Sequence, residues 1–318
     1  MCFSAQIWAS YRQYVRAFGA EVSIDEYVKL FEMRKKDPRI KIPKAVDASF
    51  GSAGDEHQAI QALIASFNAE QASKFEQDLF KQKKRLADAE RTLQTKVTKA
   101  ATESQRIAAD KISKNMTRLA DIRRTELKDR DSRMFPGYYV PVMIFENGRK
   151  VVKPMRYQCR PAGKPAFYDV KYPGTYNARR DNLQGFWKGQ FGHTHGIMVV
   201  NRFYENVARH TSEGRDLAEG EQEENIVLEF TPNPPHDMLV ACLWSRWTAP
   251  GEDDLLSFAA ITDEPPEEVR AAGHDRCIVP IKPENVDAWL NPVPNNISAL
   301  YAILDDRDRP YYEHRLAA

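Results

Sequence analysis

Residues 55–135 contain neither glycine nor proline, and no other property of the chain limits its fold as strongly. The stretch is rich in Ala, Gln, Lys, Glu and Arg, the better helix formers. Within it Leu79, Leu86, Leu93, Val97 and Ala100 step by sevens, fours and threes, the spacing of a coiled coil. One rod of that length would run roughly 120 Å at 1.5 Å per residue, and a chain that must rejoin its domain does so more economically by folding back. The spacing therefore predicts an antiparallel helical hairpin with its bend near residues 98–104, the second arm using Ile107, Ile112, Met116, Leu119 and Ile122. Its Lys and Arg residues, among them Lys81, Lys83, Lys84, Arg85, Arg123 and Arg124, are interleaved with acids. That pattern reads first as a solvated face, next as a surface for self-association or a protein partner, and third as an arm that touches DNA.

The flanks differ in texture. Tyr11, Tyr14, Val15 and Phe18 fall at helical spacing before Gly19, a C-terminal stop. A second helix is expected from Ser23, with Glu26 placed for an S-x-x-E capping box and Tyr27, Leu30 and Phe31 on its buried face. Residues 37–54 read as a connecting loop. Beyond Pro136 and Gly137 come short β-rich runs at 138–145, 196–200, 226–230, 238–244, 256–262 and 277–280, with a short helix at 283–290. The expected class is α+β: a mixed β-sheet or barrel core with short helices, interrupted by the long helical hairpin. Residues 1–36 and 134–318 would form one discontinuous domain, with 37–133 as the insertion.

With 42% hydrophobic and 29% charged residues the chain has the balance of a soluble protein. No run approaches eighteen apolar residues and no secretory start is evident, so a cytoplasmic location is the default, nucleoid-associated in a bacterium, with no membrane partner. Cys2, Cys159, Cys242 and Cys277 are scattered without C-x-x-C spacing, which suggests reduced thiols rather than a zinc site or a disulfide framework. A net charge of +1 means that any contact with DNA must come from a local cluster of cations.

Four segments can carry chemistry. Loss of Met1 would leave Cys2 as a 1,2-aminothiol, whose amine condenses with aldehydes and whose thiol then closes a thiazolidine; on position alone, Cys2 is merely a small residue after the initiator. Tyr176-Asn177-Ala178-Arg179-Arg180 follows a Pro-Gly turn, where Asn177 can orient an amine and an Arg can hold phosphate, unless the turn is simply solvated. Glu205, after the apolar run 197–200, is either a buried acid or base or a surface partner of an Arg. His274 precedes Arg276 by two residues and can change protonation near neutrality, though a lone His is more often structural. His193-Thr194-His195 puts two imidazoles on one side of a strand without a third ligand at a telling distance, so no metal or other cofactor is expected.

In their order and types these segments together resemble the SOS response-associated peptidase (SRAP) family: Met-Cys at the start, Asn-Ala-Arg in the middle, Phe-Tyr-Glu after a strand and His-Asp-Arg near the end. The resemblance covers roughly residues 1–36 and 134–292 and leaves the helical segment as an insertion. It implies an SRAP-like core that captures abasic sites in single-stranded DNA as a thiazolidine, with autopeptidase removal of Met1. It further implies that Cys2 is the nucleophile, Asn177 positions its amine, Glu205 assists sugar opening and proton transfer, and His274 serves the Schiff-base chemistry and its reversal. Arg179 and Arg276 match positions that hold DNA phosphates, with Arg180 beside them. Three departures stand out: Phe3-Ser4 replaces the usual Gly-Arg, Asn206 replaces the Trp after Phe-Tyr-Glu, and Tyr157-Gln158 replaces Trp-Gly. Tyr168, Tyr172, Phe186 and Trp187 are available as substitutes for the missing base-stacking aromatics. Two other readings are a DNA-binding scaffold whose coiled coil recruits a partner, and a thiol peptidase acting on other proteins through Cys2 and His274.

Overall fold

A computed structural model describes residues 3–51, 57–293 and 296–317. Its strands in chain order are β1 (Ser4–Ile7), β2 (Glu21–Val22), β3 (Arg133–Met134), β4 (Tyr139–Glu146), β5 (Arg149–Tyr157), β6 (Asn177–Arg179), β7 (His195–Ala208), β8 (Asn225–Asn233), β9 (Met238–Trp247), β10 (Leu255–Asp263), β11 (Cys277–Ile278), β12 (Pro280–Ile281) and β13 (Tyr311–Leu316). The first five helices are α1 (Tyr11–Phe18), α2 (Ile24–Lys36), α3 (Lys44–Ser49), α4 (Gln58–Thr95) and α5 (Lys99–Arg123).

The β-rich part closes on itself. Strands β4, β5, β10, β9 and β7 pair in that order, and β7 returns to β4, giving a five-stranded barrel whose only parallel step is β5 to β10. Side chains on both faces of these strands, Val142 and Phe258 on one and Ile197, Val199, Leu243 and Ile261 on the other, are at 0% exposure, so the barrel is packed inside and out rather than a channel. The hairpin between β4 and β5 turns on Asn147 and Gly148, at φ 52° and 82°, the left-handed pair that a two-residue turn needs to follow the strand twist. Pro154 is tolerated inside β5 because it stands opposite Pro141, between the stretches where β2 and β10 use that strand's other edge. Gly196 lets β7 approach β4; a Cβ there would come within 2.9 Å of Val142.

Strand β7 outruns the barrel. Residues 203–208 pair with β8, and β1 lies on the opposite edge, Ser4 facing Tyr204 and Ile7 facing Val200 across a register shift. β3 borders β1, and β13 borders β8, so a small second sheet grows from the end of the barrel. The candidate site lies on this extension.

The helical hairpin forms as the spacing predicts, with the turn at residues 96–98, at the near edge of the expected bend. Thr98 caps α5 by accepting from the Ala101 amide. Contacts at Arg85–Ser104, Asp78–Asn115 and Glu76–Arg123 run in opposite directions along the two helices, which makes them antiparallel. Buried seam positions are small or polar: Ala89, Ala101 and Ala108 allow close approach, and Asp78 accepts from both Gln82 (3.0 Å) and Asn115 (2.7 Å). A polar pair inside a heptad seam fixes register at some cost in stability. Leu119 is buried, whereas Met116, expected on the seam, is exposed one position outside it. Around the hairpin's base, Val46, Phe50 and Ile60 belong to the main core, and Phe50 meets Tyr27 and Phe31 edge-on.

Gly19 ends α1 in the left-handed conformation, as expected. The capping box at Ser23 does not form: the Ser23 side chain makes no cap bond, its amide is drawn to the Val152 carbonyl (3.1 Å), and Glu26 turns to Arg246 (3.1 Å). Strand docking and an ion pair have taken both partners of the box.

Candidate functional site

On the extension of β7, alternation sends Phe203 and Glu205 to the same side, and both are fully buried. His274 reaches Glu205 from the turn after the short helix Glu267–Ala271, its Nε2 lying 3.2 Å from Oε2. Gly273, at φ 96°, makes that turn; any Cβ would be strained there and would press on Thr211 at 2.9 Å. The His274 Nδ1 lies 2.8 Å from the Arg276 carbonyl, which can only accept. That contact is shorter than the 3.4 Å approach of the Arg276 amide to the same atom and decides the tautomer: Nδ1 carries the proton. Nε2 then faces a carboxylate oxygen at 3.2 Å, a placement that would favour one proton shared between the two atoms. Burial lowers the His274 pKa and so disfavours imidazolium. A buried carboxyl and imidazole sharing one proton can deliver or accept it at a reacting group.

Strand β10 gathers the other members. Its residue Thr262 lies between Arg179 of β6 and Ile278 of β11, so the Asn-Ala-Arg and His-Asp-Arg segments flank the same strand end. Arg179 and Arg276 both approach Asp181, at 2.7 and 3.6 Å, and Arg276 also nears Glu264 at 3.5 Å. A run of contacts thus leads from Glu205 through His274 and Arg276 to Arg179, two residues along β6 from Asn177. Asn177 is 5% exposed, yet neither its amide oxygen nor its nitrogen has a hydrogen-bond partner among the described residues. Two orphaned polar atoms this deep call for a ligand or another group to satisfy them.

Asn177 and Arg179 line a cleft of about 410 Å³ whose walls are aromatic. Asp169 is clamped by Arg156 (2.8 Å) and Arg160 (2.5 Å), which anchors the short helix Tyr168–Lys171 and makes Tyr168 and Tyr172, 4.4 Å apart, one wall. Phe186 and Trp187 form the other, Phe186 lying nearly parallel to Tyr168 at 6.2 Å. Aromatic faces beside a guanidinium suit a single-stranded nucleic acid, whose bases stack and whose phosphates pair. Tyr157, where the family has Trp, is instead fully buried between Tyr176 and Phe258 and offers no face to a base. Gln158 keeps a backbone at φ 150°, a conformation that suits the glycine usual at that place.

Arg180 is not brought to this group. Its guanidinium pairs with Asp263 (3.2 Å) and Asp305 and lies over Tyr301 at 5.6 Å, tying β6 to the helix Ile297–Asp305. Arg133 is a cation that the motifs did not reveal: it donates to the Ser4 hydroxyl at 3.0 Å and covers the Tyr204 ring at 3.7 Å. It supplies positive charge beside the Phe3-Ser4 pair that lacks the family's Arg, and no local signal marks it, because it lies far away in sequence.

Cys2 and Met1 lie outside the described residues. The N-terminal end of β1 runs along β7 towards Glu205, since Ser4 already faces Tyr204. Burial holds the other thiols protonated, Cys159 with its pKa pushed up to about 12 and Cys242 and Cys277 higher still. His195 is a core residue: its Nδ1 donates to the Trp289 carbonyl (2.9 Å) and its Nε2 accepts from the Gly192 amide (2.8 Å). Among the described residues no group of three or more His, Cys, Asp or Glu side chains is placed to hold a metal ion, and no helix is long and apolar enough to cross a membrane.

Residues 94–315 match the family described as SOS response associated peptidase (SRAP). No curated protein matches the sequence. Three solved structures are similar to the fold at low identity. A protein from Bordetella bronchiseptica is 16% identical over 61% of this chain and 90% of its own, with a TM-score of 0.47. One from Bacteroides thetaiotaomicron is 15% identical over 57% and 74%, with a TM-score of 0.44. A phage-related protein from Bordetella bronchiseptica is 18% identical over 58% and 80%, with a TM-score of 0.43.

Proposed function

Because the chain belongs to the SOS response-associated peptidase family, which ties it to the response to DNA damage, we propose that it captures abasic sites in single-stranded DNA through Cys2. Hydrolysis of the Met1–Cys2 bond consumes one water and frees the Cys2 amine. That amine adds to the aldehyde of the ring-opened sugar, and loss of water gives a Schiff base. The Cys2 thiol then adds to the imine carbon while its proton passes to nitrogen, closing a thiazolidine.

The observation that carries this reading is the approach of the buried His274 Nε2 to Glu205 Oε2, 3.2 Å apart at the strand end towards which β1 runs. Glu205 protonates the sugar ring oxygen as it opens, and His274 moves protons in the Schiff-base step. Asn177 satisfies its two orphaned atoms by orienting the Cys2 amine. Arg179 and Arg276 pair with phosphates on either side of the lesion, exchanging Asp181 for the DNA backbone, and the Tyr168–Trp187 cleft takes a neighbouring base.

The test is incubation with single-stranded DNA bearing an abasic site, followed by denaturing electrophoresis. The wild-type protein should give a slow-migrating covalent band that Cys2→Ala abolishes. No band with wild type, or an undiminished one with Cys2→Ala, rejects the proposal. A complex that survives native but not denaturing conditions would indicate a scaffold that binds without crosslinking.

A further inference from the structure

The charge of this chain is divided unevenly. Between Gln58 and Arg123, thirteen Lys and Arg accompany eight Asp and Glu, a net of +5, while the whole chain nets +1 and the remainder therefore −4. Within the hairpin six of the thirteen cations line one flank. Lys74, Lys81 and Arg85 on α4 and Lys111, Lys114 and Arg118 on α5 recur at threes, fours and sevens, one stripe per helix, and all six are exposed.

Contacts across the seam put the two stripes side by side. Lys81 and Lys111 both act on the single carboxylate of Asp78, Arg85 donates to Ser104 at 2.8 Å, and Arg118 lies over the Phe75 ring at 5.3 Å. The opposite flank carries the Glu76–Arg123 pair. Positions beside a coiled-coil seam ordinarily alternate in sign, since like charges there repel. Here Asp78 is already engaged by Gln82 and Asn115, and the acids beside the stripes, Asp88, Glu103 and Asp110, pair with Arg91, Arg106 and Lys114. A double row of exposed cations beside a seam fits a partner that is a regular polyanion.

We propose that this flank of the hairpin is a second nucleic-acid contact, which takes the sugar–phosphate backbone of DNA running beyond the β domain. The α4 stripe extends roughly 17 Å from Lys74 to Arg85 at 1.5 Å per residue, about the axial rise of five phosphates on one strand of a duplex. The contact reads charge spacing and not sequence. It rests on the family's tie to DNA but not on the Cys2 chemistry, so the two proposals fail separately.

The test measures fluorescence anisotropy of labelled single-stranded and duplex oligonucleotides without abasic sites, over a range of salt concentrations. The quadruple variant K81Q/R85Q/K111Q/R118Q is compared with K83Q/K99Q/R106Q outside the stripes. Each phosphate contact contributes a slope of about −0.7 on single strands and −0.9 on duplex to log K against log salt. Losing four cations should therefore shallow the dependence by ~3, and the control should leave it nearly unchanged. Helical circular dichroism shows whether the quadruple variant folds. If it does not, the milder double variant K81Q/K111Q should shallow the slope by about 1.5. A slope unmoved by either stripe variant, equal losses in the control, or binding to acidic lipid vesicles but to neither DNA would overturn the proposal. Abolition of covalent capture in Cys2→Ala with this slope intact would leave it standing.

Discussion

Lowering the pH from 7 to 5 should destabilise the β domain by about 2 kcal/mol through the ring of His195. That imidazole is 2% exposed, lies 4.1 Å centroid to centroid from Trp289 and has both nitrogens engaged in its neutral form. Protonation would set an Nε2–H against the Gly192 N–H, two donors facing each other, and would bury a charge. Desolvation accordingly drops its pKa from 6.5 to about 3. In the unfolded chain the ring regains its ordinary value, so between pH 6.5 and 3 the unfolded state binds the extra proton. The stability from this group is complete above pH 6.5 and is lost as the pH falls towards 3. At pH 5 the ring is almost wholly protonated when unfolded and almost wholly neutral when folded, which gives ~2 kcal/mol at 1.36 kcal/mol per pH unit. Urea denaturation followed by tryptophan fluorescence at both pH values, on wild type and His195→Gln, isolates the contribution: the variant starts less stable but should lose about 2 kcal/mol less on acidification. Equal losses in the two proteins would refute the reasoning.

Other expectations follow from packing and from the proton pair. Gly196→Ala forces a methyl against Val142 and the Met143 carbonyl in the barrel wall and should lower stability by about 1–3 kcal/mol in the same denaturation assay. Asn115→Ala strips Asp78 of a 2.7 Å donor and should cost the hairpin about 1–3 kcal/mol, read as an earlier loss of helical circular dichroism. Glu205→Gln keeps the shape of the carboxyl but cannot exchange a proton with His274; crosslinking should slow by roughly 10²–10⁴ at saturating DNA, measured by quenched time courses. An unchanged rate in that variant would remove Glu205 from the chemistry.

The hairpin was legible because an uninterrupted helical stretch with a heptad leaves few other folds, and Asn177, Glu205 and His274 were legible as motifs. That the Asn-Ala-Arg and His-Asp-Arg segments flank one strand end was not, because it depends on β10 pairing with both β6 and β11, far apart in the chain. Strand β5 escaped detection through its lysines, its arginines and Pro154, although Asn147-Gly148 is a strong hairpin signal; Lys153 is buried only because Glu146 pairs with it at 2.6 Å. Strand β13 reads as polar and is held mostly by its ladder to β8, with Tyr312 its one buried residue. Arg180 looked equivalent to Arg179, but Asp263 and Asp305 bind it instead. Arg133 could not be read at all, since only the pairing of β1 with β3 brings it to Ser4.

Intact mass spectrometry of the adduct formed with an abasic oligonucleotide, followed by peptide mapping, bears most directly on the trap itself. The expected mass is that of the protein without Met1 plus the DNA, less one water, with the DNA remnant on the peptide that begins at Cys2. An adduct that retains Met1, loses no water or maps to any other residue would contradict it.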